Sequence, residues 1–436
     1  MINLVFAGHV DHGKSTLVGR LFYELGLISE QEMTRLERHA HALDKGSFKY
    51  AFFTDKSLEE RERGISVEVG FKGFETKKRR FNVIDAPGHK DFTKNMITGA
   101  SMGDAAILVA DANTTYEKGV QTQTREHLLL LYTLGIEQVL IVLNKMDTAN
   151  YAESVYAATK ERLAGLIEQI GAKLKPEQDS NFIPASALYG ENITKPSEKM
   201  PWYNGPTFVE ALDALQEPLR LEDKPLRMPI LRTFRAMRAG TVVAGKVECG
   251  TVSTGDTVVI VPYPGRGKIS GEVRSLEWQH KRIDKAGPGE DIGILLGRLE
   301  KGFVARQVKK GYMVGDADNP PVAVEKFKAN LFVLDHSSSI REGYSPYLYC
   351  HQAALPCSIL EIEKSFNPRT GEVKEEKPEQ LVKGDSAIVW IRPQKPLVIE
   401  EIRNIPKLSR FVLREGTTVA AGICLEALPK KESNRL

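Results

Sequence analysis

Hydrophobic and polar positions divide the chain into two regions with different rhythms. Through about residue 220, continuous apolar runs alternate with stretches of helical periodicity. "INLVFA", "RFNVIDAPG", "DAAILVADA", "QVLIVLNKMD" and "NFIPASAL" read as buried strands. "KSTLVGRLFYEL", with Leu17, Leu21 and Leu25 along one face, "QTREHLLLLYTLG" and residues 151–170 read as helices. This alternation predicts an α/β domain: a parallel sheet covered on both faces, with ligand-binding residues at the strand ends. The polar stretch "SEQEMTRLERHAHALDKG" predicts a further helix, in which Ser29 and Glu32 can form a capping box.

Beyond the charged, proline-punctuated "EPLRLEDKPLRMP" the rhythm becomes one of short alternating strands with glycine turns: "GTVVAGKVECGTVSTGDTVVIVP", "GEVRSLEWQ" and "DIGILLG". A second break, "GDADNPPVAVEK", precedes "FKANLFVLDH", "YSPYLYCHQAALPCSILEIEK", "DSAIVWIRP" and "RFVLREGTTVAAGIC". Two successive small antiparallel β-barrels fit this pattern. The expected domains are 1–220, 226–318 and 324–432.

Composition adds bounds rather than function. A chain of 436 residues has room for two or three cores, and 42% hydrophobic with 27% charged residues is ordinary for a globular protein. A net charge of +3 is too small to argue for nucleic-acid binding, which needs a basic face that totals do not show. The four cysteines, Cys249, Cys350, Cys357 and Cys424, form no CxxC pair or zinc spacing and read as buried reduced thiols. No apolar run approaches the ~20 residues that span a bilayer, and strand-like sequence begins almost at Met1. A cytoplasmic protein with no membrane partner is expected.

The chemistry begins at "GHVDHGKS", directly after the first apolar run. Gly8, Gly13, Lys14 and Ser15 have the G-x-x-x-x-G-K-[ST] spacing of a phosphate-binding loop. Backbone N–H groups from Gly8, His9, Val10, Asp11, His12 and Gly13 through Thr16 would wrap phosphate oxygens, helped by the helix N-terminus. Lys14 would reach the β- and γ-phosphates, and the Ser15 hydroxyl would bind Mg²⁺.

"DAPGH" sets Asp85 and Gly88 at D-x-x-G spacing. Asp85 can hold the magnesium shell through water, and the Gly88 N–H can meet the γ-phosphate; the same tetrapeptide is also a common turn. "NKMD" bears on the base. Guanine offers N1–H and N2–H donors on one edge, which the Asp147 carboxylate can accept together; adenine would leave that carboxylate unpaired. Asn144 and Lys145 would brace the loops and cover the ring, and the backbone of Ser186, Ala187 and Leu188 can meet guanine O6. The charged "EERERGISVEVGF" is either a solvated face or a loop whose Ser66 offers its hydroxyl to Mg²⁺ when a γ-phosphate is present.

In this order and spacing the motifs resemble those of the translational GTPases, and specifically the archaeal/eukaryotic elongation factor 1-alpha group, which is elongation factor Tu-like. "GHVDHGKSTLVGRL", "EERERGISVEV", "DAPGHKDFTKNMITGAS", "QTREH", "NKMD", "PWYNGPT", "GTVVAGKVECG" and "GYSPYLYCH" carry the resemblance over nearly the whole chain. It implies a P-loop GTPase domain followed by two small antiparallel β-barrels. The implied activity is GTP-dependent delivery of aminoacyl-tRNA to the ribosomal A site, by a monomer served by a guanine nucleotide exchange factor. It also implies that His89 orients the attacking water, as a glutamine does in other GTPases. Val10 is implied to be part of an apolar gate holding His89 away, and Asp11 a loop residue close to ribosome and phosphate. Glu290 is implied to read the terminal adenosine of tRNA, with Glu277 nearby; without the resemblance both are simply carboxylates on a barrel.

Several positions depart from the family pattern: Ser66 stands for threonine, Lys246 for arginine, Cys249 for a polar residue, and "FVLREGTTVAAGIC" replaces the usual third-domain segment. These departures leave the nucleotide chemistry untouched and bear on the cargo. One alternative is a relative carrying a release-factor or Pelota-like protein; another is the GTPase subunit of sulfate adenylyltransferase.

Overall fold

The computed structural model describes residues 1–42, 49–54, 70–85, 93–170, 181–236, 240–278, 281–334, 339–367 and 370–429. The chain divides into two units, Met1–Pro218 and Leu219–Leu436.

In chain order the first unit contains β1 (Ile2–Ala7), α1 (Lys14–Glu24), α2 (Glu30–Ala42), α3 (Ala51–Thr54), β2 (Gly70–Glu75), β3 (Arg80–Asp85) and α4 (Thr93–Met102). These are followed by β4 (Ala105–Asp111), α5 (Ala112–Lys118), α6 (Thr122–Thr133), β5 (Gln138–Asn144), α7 (Glu153–Ile170), β6 (Phe182–Pro184) and α8 (Phe208–Ala214). The strands form one sheet in the order β2-β3-β1-β4-β5-β6. β1 and β4 are buried along their whole length, as a strand covered on both faces must be, which explains why they read as unbroken apolar runs. Leu17 and Leu21 of α1 seat in the same core as Ile2, Leu4 and Phe6.

The sheet departs from the fully parallel expectation at its edge, where β2 runs antiparallel to β3. The connection is a tight turn: the Thr76 N–H donates to the Arg79 carbonyl at 2.9 Å, and Thr76 Oγ1 accepts the Lys78 and Arg79 amides. So short a link permits a hairpin and not a crossover. At α2 the Ser29 hydroxyl accepts the Glu32 N–H at 3.2 Å. At α8, Thr207 and Glu210 form a full capping box.

In the second unit, Thr257–Tyr263, Met313–Asp316, Arg227–Ala236, Gly240–Lys246, Asp291–Gly297 and Gly267–Trp278 are neighbours in that order. The first and last strands pair again, which closes an antiparallel barrel. Tyr347–Cys350, Arg410–Glu415, Thr417–Pro429, Ala323–Val333, Ser386–Pro393 and Ala353–Phe366 close a second barrel in the same way. Closure leaves these strands no open edge. Cys249, Val259, Val261 and Met313 of the first barrel pack with Val398, Ile405 and Leu408 of the second. The buried Arg227 reaches across to the Glu400 carboxylate at 2.6 Å and to the Asn319 carbonyl at 3.0 Å, so its charge is both paired and hydrogen-bonded. All four cysteines are buried and free.

Candidate nucleotide site

The polar residues of the first unit collect where the parallel strands end. β1 leads into Gly8, β3 ends on Asp85, β4 on Asp111 and β5 on Asn144, while Ser186 lies just past β6. The registers align these ends: Phe6 is level with Asp85, and Asp111 with Asn144. The chain leaves β1 for β3 on one side and returns to β4 on the other, so the crevice for a ligand opens at β1.

Two glycines make the phosphate loop possible. At Gly8, with φ 142°, a Cβ would stand 2.2 Å from the Val109 carbonyl oxygen; at Gly13, with φ 87°, it would stand 2.4 Å from Asn144 Nδ2. Only glycine permits both the backbone conformation and the close approach. Lys14 opens α1 and is largely buried; its Nζ donates to the Gly8 and His9 carbonyls at 3.0 and 3.1 Å, across the mouth of the loop. Ser15 and Thr16 sit half-buried in the first turn of the helix, whose positive end faces the loop.

Asn144 ties the loop after β1 to the loop after β6. Its Nδ2 donates to the His12 carbonyl and its Oδ1 accepts the Ala187 amide, each at 2.9 Å. Lys145 is left-handed at φ 61° and pairs with Asp111 at 3.0 Å. Burial pushes the Asp111 pKa up, but the Thr114 N–H and the Lys145 ammonium outweigh it and leave Asp111 below the usual carboxylate range. Asp147 is half-buried and accepts a hydrogen bond from the Ser186 hydroxyl. The Ser186 amide donates to the Glu191 carbonyl, and the Ala187 amide is held by Asn144.

Two histidines support the phosphate loop from below. His127 of α6 accepts the Gly8 N–H on Nδ1 at 3.1 Å, and His12 Nδ1 faces the Val109 carbonyl at 3.3 Å. Burial, followed by the nearby positive groups, lowers the pKa of His127 to about 3 and that of His12 to about 4. Both are therefore neutral in the fold, whereas an unfolded chain charges them near 6.5. Between about pH 4 and 6.5 the unfolded state binds more protons, so stability is full above 6.5 and declines as pH falls through that window. His127→Gln keeps an acceptor for Gly8 and removes one titrating group. Calorimetry of the two proteins should show a shallower fall in melting temperature from pH 7 to 5 for the variant. Superimposable pH profiles would show that His127 does not contribute.

Gly8, His9, Val10, Asp11, His12, Gly13, Lys14, Ser15, Thr16, Asp85, Asn144, Lys145, Asp147, Ser186, Ala187 and Leu188 thus come from strand ends, the loops that follow them and the first turn of α1, at one end of one sheet. Ser66, Gly88 and His89 lie outside the described residues. Glu290 and Glu277 belong to the first barrel. Glu290 caps its own turn, its Oε2 accepting the Gly287 N–H at 2.7 Å. Glu277 is exposed and level with Gly293 on the neighbouring strand. Asp111 and His127 are additions that sequence reasoning missed. Asp111 was signalled only by ending an apolar strand, and His127 only by its place in "QTREH".

Among the described residues no helix is long and apolar enough to cross a membrane. Residues 1–219 match the elongation factor Tu GTP-binding domain, residues 240–306 elongation factor Tu domain 2, and residues 326–425 the GTP-eEF1A C-terminal domain-like family. The elongation factor 1-alpha of Archaeoglobus fulgidus is 45% identical over 431 residues, covering 99% of this chain and 98% of its own length. That of Aeropyrum pernix is 46% identical over 436 residues, covering 99% and 97%. The GTP-bound GTPase-like domain of Saccharomyces cerevisiae Ski7 aligns with a TM-score of 0.78 over 97% of this chain and 96% of that one; at 20% identity the likeness is one of fold. A sheet with a phosphate loop at its switch point, followed by two closed barrels, defines a translational GTPase that binds GTP and GDP and hydrolyses GTP. The chain belongs to the elongation factor 1-alpha family and is a translation elongation GTPase of that kind.

Proposed function

We propose that the GTP form carries aminoacyl-tRNA to the ribosomal A site in the cytoplasm, acting as a monomer organised as domains 1–220, 226–318 and 324–432. Hydrolysis would release the cargo, and an exchange factor would restore GTP. The observation that supports this most is the full-length likeness to elongation factors 1-alpha, which runs through both barrels as well as the GTPase domain.

Residues 8–16 cradle the phosphates in this reading, Gly8 supplying the turn and not a donor because its amide is held by His127, with Lys14 turning from the Gly8 and His9 carbonyls to the β- and γ-phosphates. Asp147 accepts N1–H and N2–H of guanine. Because the Ser186 and Ala187 amides are engaged within the protein, Leu188 is the residue whose amide would meet O6. His89 orients the attacking water behind the gate formed with Val10, and the Gly88 amide meets the γ-phosphate. The oxygen donors suit Mg²⁺: a hydroxyl at the helix start, from Ser15, and a buried carboxylate at the end of β3, from Asp85. Ser15 and Ser66 would hold the ion directly and Asp85 through water, and the ion would neutralise charge on the β- and γ-oxygens. Glu290, beside Glu277, would read the terminal adenosine with the carboxylate oxygen not spent on Gly287.

The test is binding of charged against uncharged tRNA. The GTP form should retain charged tRNA selectively, with an affinity that falls as salt is raised, because phosphate contacts release counterions. Equal retention of both, or none, alongside tight binding to a release-factor or Pelota-like protein, would favour the protein-carrying alternative.

A further inference from the structure

The turn that follows Asp147 is held in an uncommon backbone conformation. Asn150 and Tyr151 are both left-handed, at φ 51° and 57°, and Lys145 on the other side of Asp147 is left-handed too. Non-glycine residues adopt this conformation sparingly, and such a run persists only where the surroundings impose it. Part of the restraint is internal: the Asn150 amide donates to the Asp147 carbonyl at 3.2 Å and the Tyr151 amide to the Met146 carbonyl at 2.8 Å. The rest comes from a segment about fifty residues later. Trp202 Nε1–H donates to the Tyr151 carbonyl at 2.9 Å, and its ring packs on Tyr156 of α7 at 5.1 Å between centroids.

The same segment also grips the other base loop. Lys199 pairs with Glu191 at 2.7 Å, and its ammonium lies 5.1 Å from the Tyr151 ring centroid and 5.6 Å from that of Tyr189. Glu191 exchanges both backbone hydrogen bonds with Ser186, the residue whose hydroxyl holds Asp147. Residues 199–202 therefore bridge the loop carrying Asp147 and the loop carrying Ser186, from outside the nucleotide cradle.

We propose that Trp202 and Lys199 are positioning residues for guanine recognition: by pinning the strained turn and spacing the two base loops, they aim the Asp147 carboxylate. This inference rests on the assignment of Asp147 to the base. Aim matters most for the second hydrogen bond to guanine, the one to N2–H. Inosine triphosphate lacks the 2-amino group while keeping the rest of the nucleotide, so the ratio of GTP to ITP affinity reads the aim of the carboxylate.

The experiment is calorimetric titration of full-length protein with GTP and with ITP. Trp202→Phe keeps a ring against Tyr156 and loses the N–H; Lys199→Met keeps the stem and loses the charge. Trp202→Phe should lower the GTP-over-ITP preference roughly fivefold, the worth of one hydrogen bond, with ITP affinity nearly unchanged. Lys199→Met should lower it less, and it decides the matter alone if the tryptophan variant does not fold. An unchanged preference in the folded variants, or equal weakening of both nucleotides, would overturn the proposal, because a merely structural role acts on both alike. Asp147→Asn separates the two levels. If it leaves the preference intact, the assignment of Asp147 has failed; if it abolishes the preference while the other variants keep it, only the positioning role has failed.

Discussion

Asp147→Asn should turn a GTP-binding protein into one that prefers xanthosine triphosphate. The carboxylate accepts the Ser186 hydroxyl where the loops after β5 and β6 meet, and in the proposed reading it serves as acceptor for the two donors of guanine. An asparagine presents an N–H₂ group to one of those donors, and the resulting mismatch should weaken GTP by about 3 kcal/mol, roughly two orders of magnitude in Kd. Xanthine carries a carbonyl at C2, which the new amide can meet. Direct titration with the two nucleotides checks both halves of the exchange. The Lys14 and Asn144 contacts to the phosphate loop are untouched, so the loss should appear in base selectivity and not in folding. Undiminished preference for GTP would mean that Asp147 does not read the base.

His89→Ala should have a still larger effect on turnover and little on binding. Asp85 ends β3, and in sequence His89 directly follows Gly88, the glycine proposed to meet the γ-phosphate. A group that orients the attacking water acts chiefly in the transition state, so its removal lowers the rate without lowering affinity. Ribosome-stimulated hydrolysis should fall by several orders of magnitude in single-turnover measurements, while slow intrinsic hydrolysis, supported by Lys14, continues. Equal single-turnover rates for the two proteins on ribosomes would remove His89 from the mechanism.

Much of this site is legible before any coordinates. The phosphate loop, Asp85 and the "NKMD" stretch are local patterns at the ends of strands whose burial on both faces makes them unbroken apolar runs. What stays hidden depends on contacts distant in sequence. His127 reaches Gly8 across 119 positions, and nothing in "QTREH" states what its imidazole will meet. Asp111 ends an apolar strand and takes meaning only when the parallel register sets it level with Asn144 and its neighbour Lys145. The short α5, "ANTTYEK", lacks an apolar periodicity and is stabilised by the Asp111 cap on Thr114, which a hydrophobic pattern does not reveal. The antiparallel β2 escaped for a similar reason: direction is set by the Thr76–Arg79 turn, not by the alternation of residues. In the barrels, alternation makes the strands legible, whereas closure and the Arg227–Glu400 pair come only from the fold.

If the GTP form of this elongation GTPase carries aminoacyl-tRNA, as proposed, it should lengthen the lifetime of the ester bond. A carrier that encloses the charged end shields the ester from water. If docking of Ser66 on the ion requires the γ-phosphate, that enclosure should depend on the nucleotide. Spontaneous deacylation of an aminoacyl-tRNA should therefore slow markedly with the GTP-bound protein in excess and stay near the free rate with the GDP-bound protein. Deacylation at the free rate in both nucleotide states would mean that aminoacyl-tRNA is not the cargo and point to a protein cargo instead.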